Sequence, residues 1–311
     1  MNMKKNAVLL LLGMCVLIAT GCSGKNKKDE SEAERIYYVA FRDLEEDLKT
    51  LPDAIKQYSE LSIKYAHTPA GKKAVVRLEE LNRAQKELTG SDTLSGNAWI
   101  PIYIRADSVA PGYPPVVKRL GTYYYNNTYL ASRTGAMTQN SAIVESVLQM
   151  WNTQDEMWAR YEFRETPDDR HWRDQLCKQA TQVARMLEAV RRYGEALDIV
   201  NKGLDYAIGE DVIAHARVFA SFYNFRRAKY AQGIELAQKA IEYEFLEQND
   251  RARAHHVIGL CYSTVYSRSK DIADLDEAID ALNEALRVEP SMIKAKDLLK
   301  TLRKYRQGLP S

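Results

Sequence analysis

The stretch Asp276 to Pro290, DEAIDALNEALRVEP, leaves this chain few folds to choose from. Ala278, Leu282 and Ala285 share one helical face, which Ile279, Leu286 and Val288 widen. That spacing belongs to an amphipathic helix and not to a strand. Pro290 ends the helix by denying it a backbone donor. Small residues in the middle of an apolar face allow a second helix to approach closely. The expectation is a helix paired with a helix, and a fold built of such hairpins.

The pattern recurs upstream. Gly233, Ala237 and Ala240 hold the places of Ala278, Leu282 and Ala285, and Ala196, Val200 and Gly203 carry a similar set earlier. The register steps are 37 (233 − 196) and 45 (278 − 233). Each segment follows another amphipathic run, at about residues 170–191, 212–227 and 252–266, which includes Ala184, Gly259 and Tyr262. The spacing Ala-x3-Leu-x2-Ala-x4-Pro resembles the second helix of a tetratricopeptide repeat, a helix–turn–helix unit of about 34 residues. The resemblance implies an all-α fold, with TPR-like helical hairpins stacked into an α-solenoid. Residues 169–290 form its C-terminal array of about three repeats, and residues 291–311 a capping helix and tail. Both register steps exceed 34, so inserts are expected, the larger at Ser267 to Asp274.

Residues 33–88 read as N-terminal TPR-like helices. Ala54, Tyr58, Leu61 and Tyr65 mark one face, followed by Thr68-Pro69 and Ala74. This run resembles the repeats of periplasmic TPR proteins, namely the lipoprotein partner of the outer-membrane β-barrel assembly machine and the coordinator of the Tol–Pal system. Residues 89–168 read as an irregular insertion rich in Pro, Gly and Tyr, with one or two helices. Trp99 to Ile104 alternates apolar bulk around Pro101, which suggests an edge strand or extended strap. Pro111, Gly112, Pro114 and Pro115 argue against helix there. At Glu165 to Asp169 the chain breaks again, and Thr166 or Asp168 can cap the next helix.

The first 21 residues have the layout of an export signal: Lys4 and Lys5, an apolar run from Ala7 to Ala19, then small residues. Ile18-Ala19-Thr20-Gly21-Cys22 resembles a bacterial lipobox, with Ala19 where Leu is more usual. In that family the cysteine is acylated and becomes the first residue, so the resemblance makes residues 1–21 a lipoprotein signal peptide and Cys22 a lipid anchor. Ser23, where enteric-type bacteria use Asp for inner-membrane retention, implies an outer-membrane lipoprotein facing the periplasm. The outer leaflet of the inner membrane is the alternative. Residues 22–32 are charged and without bulky apolar side chains, and read as a flexible tether.

Removing residues 1–21 takes away two lysines and no acids, leaving 42 basic and 42 acidic residues and a net charge of 0. A neutral exported chain argues against a nucleic-acid partner. No phosphate loop or nucleophile turn is present, so no catalytic residue and no cofactor is assigned. His255 and His256 are adjacent and point about 100° apart on a helix, a poor start for a metal site. His171 reads as a helix-start residue. Cys177 and Cys261 fall within helical patterns, where a buried thiol is the commoner role.

These readings converge on a scaffold that binds a protein or peptide partner in the cell envelope, the first helices of successive repeats lining a concave groove. Groove candidates are Arg185, Tyr223, Arg226, His255 and Tyr262. Two alternatives remain. One is solute or polysaccharide binding by the aromatic middle region around Trp99, Tyr123, Tyr124, Tyr125 and Trp158. The other is a lipid-tethered hydrolase in that region, although Glu145, Asp155 and Glu156 lie on a plain helical pattern.

Overall fold

The structure is a computed structural model and describes residues 26–308. The expected signal segment 1–21, the lipidation candidate Cys22 and the last residues of the tail lie outside the described residues. Those described are all-helical, with no strand among them. The helices are α1 (26–39), α2 (Leu51–Lys64), α3 (Pro69–Leu88), α4 (Ile100–Val109), α5 (Pro114–Thr138), α6 (Ser141–Ala159), α7 (Pro167–Ala189), α8 (Tyr193–Tyr206), α9 (Glu210–Arg226), α10 (Tyr230–Ile241), α11 (Gln248–Ser269), α12 (Ile272–Val288) and α13 (Ile293–Gln307). They divide into two compact units. One comprises the residues up to 123 with 154–164, and the other comprises 124–153 with the residues from 165 onward.

In the first unit α2 packs on α3 and α3 on α4. Pro52 sits in the first turn of α2, where no backbone donor is needed. Ala54, Tyr58, Leu61 and Tyr65 are buried, as their spacing predicts. Thr68 caps α3 by accepting the Gly71 N–H at 3.0 Å. A Cβ on Gly71 would lie 1.9 Å from the Tyr65 carbonyl oxygen, so the turn into α3 needs glycine. A buried ion network holds this unit together. Glu45, fully enclosed, accepts the Tyr58 hydroxyl at 2.6 Å and the Arg77 guanidinium at 2.6 Å, with Arg164 at 3.4 Å. Arg164 also lies over the Phe41 ring, 4.0 Å from its centre.

Several expectations for this half change. Residues 26–32, expected as part of the tether, are helical and continue α1. Glu32 lies near Lys64 and Asp29 near His67 of the following segment. Between α1 and α2 the expected run of N-terminal helices is interrupted by a π-helical turn at Ala40–Leu44 and a 3-10 turn at Leu48–Thr50. The strap expected at Trp99 to Ile104 is helix α4. Pro101 occupies its first turn, and Tyr103, Ala106 and Ala110 are buried at helical steps. Pro114 likewise opens α5. The region 89–168 is therefore helical apart from its connections.

In the second unit the order of hairpins is regular. The pairs α7–α8, α9–α10 and α11–α12 each pack together, successive pairs meet through α8–α9 and α10–α11, and α13 closes on α12. Thr166 caps α7, accepting the Asp169 N–H at 3.1 Å. The small residues sit at the crossings. A Cβ on Gly203 would lie 2.6 Å from the Ala180 Cβ, and one on Gly233 would lie 3.1 Å from the Ser221 carbonyl oxygen. Each first helix ends on a residue with positive φ, Arg191, Ala228 or Lys270, and none of these is glycine. After α7 and α9 the next amide donates back five residues, Arg192 to Leu187 and Lys229 to Asn224, both at 2.9 Å. The insert expected at Ser267 to Asp274 is absorbed as longer helices, with Asp271 capping α12. One core joins α6, α7, α8 and α9, and smaller ones fill α9–α12 and α11–α13.

Candidate functional site

The first helices of the three hairpins also pack on one another, α7 on α9 and α9 on α11. Their meeting face is where the side chains converge. Phe219 of α9 lies at its centre. The Arg253 guanidinium of α11 stands 4.1 Å from the centre of that ring and that of Arg185 from α7 stands 5.8 Å away. His215 tilts against the same ring at 5.0 Å, and its Nδ1 faces the Asp250 carboxylate. Arg253 Nη2 also donates to Glu188 Oε2 at 3.2 Å, and the Tyr223 hydroxyl donates to the same oxygen at 3.2 Å. One arginine therefore ties three consecutive first helices together.

Phe222 extends the face. Arg253 lies 5.3 Å from its ring centre, and Tyr193 meets it edge-on at 6.3 Å. Arg226, exposed, covers the Tyr193 ring at 4.5 Å. Near the start of α9 a cleft of about 300 Å³ opens between Lys178, His215, Phe245, Glu247 and Asp250. Arginine above aromatic rings, with charge left in solvent, suits capture of carboxylates and aromatic side chains. Among the described residues no group of three His, Cys, Asp or Glu side chains is placed to hold a metal.

Of the five groove candidates, Arg185 and Arg226 lie on or beside this face. Tyr223 is fully buried beneath it, and burial, with the Glu188 carboxylate next, pushes its phenol well above the ordinary tyrosine range. It cannot meet a ligand directly. His255 looks toward Glu284 and Arg287 of α12, and burial lowers its pKa below the usual histidine value. Tyr262 packs where the cores of α9–α12 and α11–α13 meet. The α11 residue at the face is Arg253, two positions before His255 and so about 200° round the helix. Glu188, Phe219 and Phe222 were likewise not singled out by sequence, because apolar and acidic residues on a first helix look the same whether they face a groove or a core.

The other marked residues fall elsewhere. His256 is held neutral, its pKa pushed down to about 4 by burial and by the nearby positive charges of Lys294 and Arg253. Cys177 and Cys261 are buried free thiols, each pushed up to about 12 by burial. In the aromatic middle region Trp158 is fully buried, stacked on Phe163 at 5.6 Å, and Tyr124 is buried as well. Trp99 is half-buried, with the Arg119 guanidinium 4.6 Å from its ring centre. Among the described residues no helix is long and apolar enough to cross a membrane. No protein-family model matches the chain, and no curated protein matches it.

Proposed function

We propose that this chain is a lipid-anchored periplasmic scaffold of tetratricopeptide type that binds a protein or peptide partner on the joined face of α7, α9 and α11. The observation that carries the reading is Arg253, which spans that face from Glu188 to Phe219 and Phe222. Three first helices held in mutual contact by one side chain make a preorganised surface, so a ligand need not order it on binding. Exposed Arg185 and Arg226 then offer charge, and half-buried Tyr193 and Phe222 offer apolar contact. The lipobox-like run ending at Cys22 supplies the anchor, and Ser23 favours the outer membrane.

Photo-crosslinking in cells tests this reading. A photoreactive residue at Lys178 or Arg226 samples the face, and one at exposed Asn201 of α8 samples the opposite helix layer. A discrete adduct from the first two positions and none from Asn201 is expected. Adducts of equal strength from all three, or none from any, would overturn the assignment of the face. Cys22→Ser is expected to abolish metabolic palmitate labelling and release the chain from the membrane fraction.

A further inference from the structure

We propose that the cleft between α12 and α13 is a second docking surface, made for an acidic amphipathic helix of a partner protein. The helix α13 carries six basic residues, Lys294, Lys296, Lys300, Arg303, Lys304 and Arg306, against one acid, Asp297. The chain as a whole is close to balanced, at a net charge of +2, so this excess is local. Lys296, Lys300, Arg303 and Lys304 border a cleft of about 550 Å³ together with Leu286, Leu299 and Gln307. Half-buried Leu286 gives it an apolar floor in front of Leu299 of the α12–α13 core, and the basic residues stand on its rim.

Among the described residues the charges on that rim find little acidic compensation. Arg306 is paired with Asp276 at 2.8 Å, but it lies outside the cleft lining. Arg303 donates to the Asn283 side-chain oxygen at 2.6 Å, a neutral partner. Among the described residues, Lys296, Lys300 and Lys304 have no carboxylate within ion-pair distance. Unpaired lysines also occur elsewhere on this chain, while Lys239 holds Glu235 and Arg287 holds Glu284, so what marks α13 is the number of basic groups gathered along one cleft. Four like charges along one helix repel one another, and a row of carboxylates relieves that repulsion.

The geometry selects the shape of the occupant. Positions 296, 300, 303 and 307 follow steps of four, three and four, so they form one stripe about 16 Å long at the helical rise. A partner helix with acids at the same steps meets the stripe in register and lays apolar residues between them onto Leu286 and the alkyl stems of the lysines. A membrane surface is flat and would reach the rim but not Leu286 on the cleft floor.

The test titrates the full chain against a fluorescent helix of about 15 residues with Glu at i, i+4, i+7 and i+11 and Leu between them, and against its Gln-for-Glu twin. The Glu peptide is expected to bind at least about tenfold more tightly than the twin. Lys296→Glu with Lys300→Glu is expected to weaken it about tenfold, and Lys300→Gln about threefold. The exposed pair Lys72→Glu with Lys73→Glu should leave it unchanged. Thermal melts of the variants should match the parent, since every altered side chain is exposed. Equal binding of the two peptides, no binding, or equal loss in the Lys72 and Lys73 variant overturns the proposal. So does binding to anionic phospholipid vesicles that the Lys296 and Lys300 change removes while the Glu peptide stays unbound.

Discussion

Arg253 stands 4.1 Å above the centre of the Phe219 ring, and the same guanidinium reaches Glu188 at 3.2 Å. The three residues come from α11, α9 and α7. A planar guanidinium can stack on a ring and donate in its own plane at once, which an ammonium cannot. The relationship therefore fixes both the spacing of three first helices and the charge at the centre of their shared face.

Replacing Arg253 with alanine is expected to destabilise the second unit by about 1–2 kcal/mol, from the lost ring contact and a partly exposed ion pair. Arg253→Lys should recover less than half of this, because it keeps charge but loses the planar geometry. A double-mutant cycle with Glu188→Gln should return a coupling of about 0.5–1.5 kcal/mol. Urea unfolding of the four proteins measures it. A coupling of zero would show that the two side chains are neighbours without being partners.

Glu45 poses the opposite case, a charge with no solvent at all. Its oxygens accept from Tyr58, Arg77 and Arg164, whose side chains are themselves largely buried. Glu45→Gln leaves two guanidinium groups facing a neutral amide in the interior, and a loss of about 3–5 kcal/mol is expected. Its neighbour Glu46 is more open and pairs with Lys118 at 2.9 Å and Arg164 at 3.1 Å. Glu46→Gln should cost about 1 kcal/mol or less. Similar losses at the two positions would contradict the buried network as drawn.

The two glycines of α8 should respond in opposite directions to alanine. At Gly203 the new Cβ would press on Ala180 at 2.6 Å and on the Cys177 Cα at 3.2 Å, so the α7–α8 hairpin must open. A loss of about 1–3 kcal/mol is expected. At Gly194 nothing lies closer than the Arg227 guanidinium at 4.0 Å, and helix propensity should win by up to about 1 kcal/mol. Thermal melts of Gly203→Ala and Gly194→Ala decide the ranking, and the reverse order would refute the close crossing.

The hairpins were legible because close helix packing leaves a trace in single residues. Ala196, Gly203, Gly233 and Ala278 are small where a neighbouring helix comes near, and the Ala54 to Tyr65 face is buried as its period requires. The proline-rich start of the middle region was not legible, because Pro101 and Pro114 begin helices in a stretch where proline reads as a breaker. A proline that opens a helix differs from one that ends it only in the residues downstream of it. The site was half legible. Arg185 and Arg226 lie over Phe219 and Tyr193 on the shared face, but α11 buries Ala252, Ala254, Val257, Ile258 and Cys261 around much of its circumference. A helix packed on several sides has little amphipathic phase, so nothing in its sequence separates Arg253 from His255.

His256 gives α11 a pH dependence whose sign is set by its lowered pKa. Burial comes first among the causes, then Lys294 and Arg253, and together they hold the folded value at about 4 against an ordinary 6.5. Between those values the unfolded chain takes a proton that the folded chain refuses. Stability contributed by neutral His256 is therefore complete above about pH 7, falls as pH drops through 6.5, and levels off below about 4. The full effect is on the order of 3 kcal/mol. Carboxylates begin to protonate near the lower end of this range, so the parent alone cannot isolate the histidine. The useful quantity is the difference in urea midpoint between the parent and His256→Gln at pH 7.5, 6.0 and 5.0. The parent should lose more stability than the variant across that interval, and parallel curves would show that His256 protonates as readily folded as unfolded.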